Sequence, residues 1–158
     1  MNIENEVQML IDNRLLRTEQ ETVRFEKAVA AILKENQVEH IKYLCLGFHD
    51  KTEKDEVMFG LVHAIEAYDD TFDSKTTFSV FADSLPSMLP HANEWMKILH
   101  KRIINHSPSR EHYSYVISSA NQAIKEIVFQ QLNEIKAKNP VKFEASVMEF
   151  LTAFRQDV

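Results

Sequence analysis

Residues 52–68 read Thr52-Glu53-Lys54-Asp55-Glu56-Val57-Met58-Phe59-Gly60-Leu61-Val62-His63-Ala64-Ile65-Glu66-Ala67-Tyr68. Val57, Met58, Leu61, Val62, Ile65 and Tyr68 recur at the three-to-four spacing that lines one side of an α-helix, and no strand-like alternation competes. The Thr52 hydroxyl is placed to cap such a helix, and Glu53, Asp55 and Glu56 favour its positive end. Opposite the apolar stripe, Glu56, Phe59, His63, Glu66 and Asp70 follow a 3-4-3-4 spacing and share one face.

The same pattern repeats on either side. Upstream, Ile3, Val7, Leu10 and Ile11 predict a helix within residues 3–16. Thr18 followed by Glu21 reads as a capping box opening a second helix through Phe25, Val29, Ile32 and Leu33. Asn36 punctuates, and Val38, Ile41, Leu44 and Cys45 form a short third helix. That helix stops at Gly47, where a left-handed C-terminal conformation is expected. Downstream, Asp73-Ser74 precedes a helix through Phe78, Phe81, Ala82 and Leu85 that ends at Pro86 or Pro90. Residues 91–105 hold Ala92, Trp95, Met96, Leu99 and Ile103 in register. Ser107-Pro108 opens a stretch to about residue 138, either one helix or two broken near Ser118-Ser119. Asn139-Pro140 starts a last helix with Phe143, Val147, Phe150, Leu151 and Phe154.

Composition agrees with an all-α chain. Only two glycines and four prolines occur in 158 residues, too few for the frequent turns of a β-rich fold. A 44% hydrophobic and 27% charged make-up fits a folded globular protein. The expectation is a single domain, residues 1–158, of seven to nine helices. Antiparallel helical hairpins would stack as a HEAT-like array, slightly favoured, or close into an irregular helical bundle. The lone Cys45 lies between Leu44 and Leu46 and is expected to be buried and reduced. With no secretory start and no apolar run approaching the roughly 18 residues of a membrane span, the expected location is the cytoplasm, without membrane contact.

Charge is concentrated. Between Asp50 and Asp73 stand eight acids, Asp50, Glu53, Asp55, Glu56, Glu66, Asp69, Asp70 and Asp73, against Lys51 and Lys54. Their balance of −6 equals the formal charge of the whole chain, so the remainder is neutral. An aromatic and a histidine set among carboxylates suit recognition of a basic partner through Asp50, Glu53, Asp55, Glu56, Phe59, His63, Glu66, Asp69 and Asp70. Against this, a charge run is commonly a solvated face, and Phe59 could touch a neighbouring hairpin.

Other chemistries lack their residues. Glu56, His63 and Glu66 share a face, but the order His63-x-x-Glu66 reverses the di-iron motif and has no second copy. The histidines at 40, 49, 63, 91, 100, 106 and 112 are otherwise scattered. Two isolated glycines build no phosphate loop, no serine has a nucleophile elbow, and Cys45 should be inert. No catalytic residue, metal or cofactor is expected. Residues 96–142 carry eight Lys or Arg against three Glu, dispersed without a groove-reading motif, so nucleic acid is not the expected partner and self-association remains open. Arg102 lies two turns after Trp95 on nearly the same line. It is expected to pair with a carboxylate of the preceding helices, Glu66 first, unless it snorkels to solvent.

Leu44-Cys45-Leu46-Gly47-Phe48-His49-Asp50, Glu56 through Glu66, Ala92-Asn93-Glu94-Trp95 and Arg102-Ile103-Ile104-Asn105 resemble the immunity protein 30 family of bacterial polymorphic toxin systems. The resemblance covers about residues 44–110, and the flanks add only compatible pattern. It implies a small cytoplasmic, non-enzymatic antitoxin that binds a cognate protein toxin. Many such toxins are nucleases whose basic clefts an acidic face could fill. A helical-repeat interaction scaffold and a helical metal-binding protein or enzyme are the alternatives from other classes.

Overall fold

The computed structural model describes residues 1–156, with side chains through Ala153; Phe154, assigned above to the last apolar line, lies outside the described side chains. Among these residues there are nine α-helices and no strand. They are α1 (Ile3–Asn13), α2 (Glu19–Lys34), α3 (Ile41–Leu44), α4 (Asp55–Glu66), α5 (Ser74–Ser84), α6 (Asn93–Ile104), α7 (Ser107–Ser118), α8 (Gln122–Lys138) and α9 (Pro140–Gln156). Short 3-10 turns flank α3 and follow α4 and α5.

The odd-numbered helices pack in series, α1 on α3, α3 on α5, α5 on α7 and α7 on α9. Beside them α2 packs on α4, and α6 on α8. Buried apolar side chains form one connected cluster from Leu10 to Leu151, so each amphipathic stripe finds its neighbours. No helix of the described residues is long and apolar enough to cross a membrane.

Local chemistry sets most boundaries. Asn2, Thr18, Asp73 and Asn121 accept backbone N–H groups at the starts of α1, α2, α5 and α8. Thr18 takes the Glu21 N–H, but the Glu21 carboxylate reaches Arg17 rather than closing the box on Thr18. The stretch after residue 107 is two helices, because the chain turns at Ser119–Asn121 and Asn121 caps a new start.

Four expectations are corrected. The first helix ends at Asn13, and the turn beyond it holds buried Leu16 at φ 51, a left-handed conformation offset by complete burial of its side chain. Gly47 is not left-handed. A Cβ there would meet Leu10 and Leu61 at 3.0 Å, so close helix approach selects this glycine. Thr52 does not cap α4, whose N-cap is Lys54, and the Thr52 hydroxyl is buried without a partner. At α7 the cap is His106, whose Nδ1 accepts the Ser109 N–H, which moves Ser107 and Pro108 into the first turn.

Candidate functional site

The helix that decides the fold also presents the candidate surface. Met58, Leu61, Val62 and Ile65 of α4 are buried, while Glu56, Phe59, Gly60 and His63 are exposed. Between Glu56 and Glu66 the helix carries no lysine, arginine or carboxylate, which is unusual for a solvent-facing stripe. Phe59 remains 36% exposed, with its ring edge-on to Trp95 at 5.1 Å between centroids. Trp95 is buried and stacks on Phe48 at 5.9 Å, so the exposed aromatic has a rigid backing.

Gly60, beside Phe59, has the opposite environment from Gly47. A Cβ there would meet nothing within 4 Å. Glycine inside a helix costs about 1 kcal/mol relative to alanine, and the chain itself gives no steric reason for it. Sequence reasoning passed over this residue, although an isolated glycine within a helical pattern was the available signal.

The acidic run divides by task. Asp50 accepts backbone N–H groups of Glu94 and Trp95 and thereby caps α6, whose own N-cap residue, Ala92, has no side-chain acceptor. Asp73 caps α5, and the Thr76 hydroxyl, with the Thr76 N–H, holds its carboxyl below the ordinary range. The Thr77 hydroxyl donates to Asp69. Arg102 donates to both oxygens of Glu66, at 2.7 and 2.8 Å, bridging α6 to the end of α4. Glu53, Asp55, Glu56, Asp69 and Asp70 form no ion pair among the described residues.

These carboxylates frame the two ends of α4, about 18 Å apart at 1.5 Å per residue. Glu53, Asp55 and Glu56 stand at the start, where the helix dipole favours them. Glu66, Asp69 and Asp70 stand at the finish, where it does not. The helix tightens to a 3-10 turn at Ala67–Asp70, and each residue there advances about 120° instead of 100°. Glu56, Phe59, His63 and Glu66 therefore share the outer face, and Asp70 is offset from that line toward the side of Gly60.

Arg102 itself lies at the rim, not in the core: its side chain is 41% exposed and that of Glu66 40%. Beneath this pair is a crevice of about 70 Å³ between α4, α5 and α6, floored by Ile65, Phe78, Leu99 and Ile103. No three of His, Cys, Asp and Glu gather closely enough to hold a metal among the described residues. Cys45 is fully buried, and burial pushes its thiol up to about 12.

The Immunity protein 30 family model matches residues 12–113, more than half of the chain. The chain belongs to that family. Comparison with curated proteins and with solved structures gives no match. The Immunity protein 30 match runs from the last turn of α1 to the middle of α7 and so contains α4, Trp95 and Arg102. It begins well before residue 44, where the resemblance read from the sequence began, and thus includes all of α2 but only the last turn of α1. The α8–α9 hairpin lies outside the Immunity protein 30 match.

Proposed function

We propose that this chain is a cytoplasmic immunity protein that binds a cognate bacterial toxin stoichiometrically and blocks it, without catalysis of its own. Docking is through the outer face of α4, with Phe59, Gly60 and His63 at the centre and Glu53, Asp55, Glu56, Glu66, Asp69 and Asp70 around them. One observation carries this reading. The middle of α4 exposes an aromatic and a glycine with no charge among them, and most carboxylates framing that strip pair with no lysine or arginine among the described residues.

A basic toxin would be steered by the carboxylates and retained by burial of Phe59. A nuclease fits best, because its substrate cleft is positively charged and accepts anions in place of phosphate. Asp50 contributes indirectly, by fixing α6 and with it the Trp95 ring behind Phe59. Glu56 and Asp70 are suitable for charge reversal because, among the described residues, neither caps a helix nor pairs with a cation. Cells co-expressing the toxin encoded beside this chain should survive with wild-type protein and die with the Glu56→Lys, Asp70→Lys double variant. The purified double variant should keep its helical content and melting temperature. Survival with this variant would remove the assigned surface.

A further inference from the structure

We infer that the crevice beneath the Glu66–Arg102 pair is the seat of a long cationic side chain, a lysine or arginine, from the protein bound at the α4 face. The inference rests on the docking surface proposed above and names its anchor. The floor is apolar, made by Ile65, Phe78, Leu99 and Ile103, and its volume of about 70 Å³ admits a slim alkyl stem. The mouth is negative on balance, with Glu66 and Asp69 against Arg102, and it opens into a groove reaching His106.

Both bonds of Arg102 go to Glu66, so the carboxylate left for a guest is Asp69. Asp69 receives the Thr77 hydroxyl and has no lysine or arginine paired to it among the described residues. Exposed Asp70 adds a further negative charge next to it. An alkyl stem lying on the floor with its cation at Asp69 reproduces the way lysine and arginine cover apolar surface while keeping the head polar. A wholly apolar guest would desolvate the rim charges, and an anionic one would face Asp69 and Asp70, neither paired with a lysine or arginine among the described residues.

The probe is n-butylguanidinium, titrated into the isolated chain and followed by the methyl resonances of Ile65 and Ile103. Saturable shifts in the millimolar range are expected, as suits so small a fragment. Asp69→Asn keeps an oxygen for the Thr77 hydroxyl and should weaken the fragment at least fivefold. Ser109→Arg, which sets a cation at the mouth, should abolish binding. Unmoved Ile65 and Ile103 methyls, equal shifts with n-butanol, or undiminished binding to both variants would each overturn the inference. No toxin is present in this titration, so its result is separate from that of the protection assay.

Discussion

Asp50 accepts the backbone N–H of Trp95 at 3.3 Å, and that of Glu94 at 3.1 Å, from a loop more than forty residues upstream. The first carboxylate of the acidic run is thus the N-cap of a helix to which it is not joined. Its own N–H donates to the His91 carbonyl at 2.8 Å, closing the connection from the other side. Asp50→Ala should cost about 1 kcal/mol, the usual worth of an N-cap, lowering the melting temperature by about 2–4 °C. An unchanged melting curve would show that Asp50 holds nothing.

The two glycines should respond in opposite directions. Gly47→Ala presses a methyl against the buried side chains of Leu10 and Leu61 and should destabilise the chain by about 1–3 kcal/mol. Gly60→Ala meets open space and should stabilise it by about 1 kcal/mol through helix propensity. Denaturant titrations of both variants check this. If Gly60 admits close approach of the toxin, the stabilised variant should nevertheless protect less well.

Arg102→Met should change stability by less than about 1 kcal/mol. Both partners are roughly two-fifths exposed, and ion pairs in that setting contribute little. A pairing requirement as strict as that of a buried charge would instead show as a loss of several kcal/mol in chemical denaturation.

His100 gives a pH signature. It is completely buried, its Nδ1 facing the Gln131 side-chain oxygen at 3.1 Å and its Nε2 facing the Tyr113 hydroxyl at 2.7 Å. Burial pushes its imidazole down to about 4. The unfolded chain therefore binds a proton near pH 6.5 that the folded chain refuses until about pH 4. This stability is fully present above pH 6.5 and is lost as pH falls through 4, about 3 kcal/mol in all. His100→Gln should start less stable at pH 7 and show a flatter fall over that interval.

What the sequence made legible depends mostly on near neighbours, although the Thr52 cap and the Gly47 stop were misread from the same kind of signal. The α4 stripe, the Thr18 cap, the helix after Asp73-Ser74 and the Asn139-Pro140 start follow from residues within one turn of each other. Arg102 was expected to meet Glu66 because its charge falls on the apolar stripe; the two do meet, but at the rim, where neither side chain is buried. Apart from that pair, contacts between distant segments did not show. Asp50 reads as one more acid until α6 is seen to start above it. His100 reads as one of several scattered histidines until Tyr113 and Gln131, from two other helices, close around it. The 3-10 turn at Ala67–Asp70 likewise altered the outer face, because periodicity at 3.6 residues per turn does not register a local tightening.

Hydrogen–deuterium exchange of the purified complex locates the docking face without any substitution. With the toxin added, amides within residues 53–70 should gain protection beyond that of the free chain, while those of α8 and α9 stay unchanged. Protection confined to α1–α2 or to α8–α9, with residues 53–70 exchanging as in the free protein, would contradict the account.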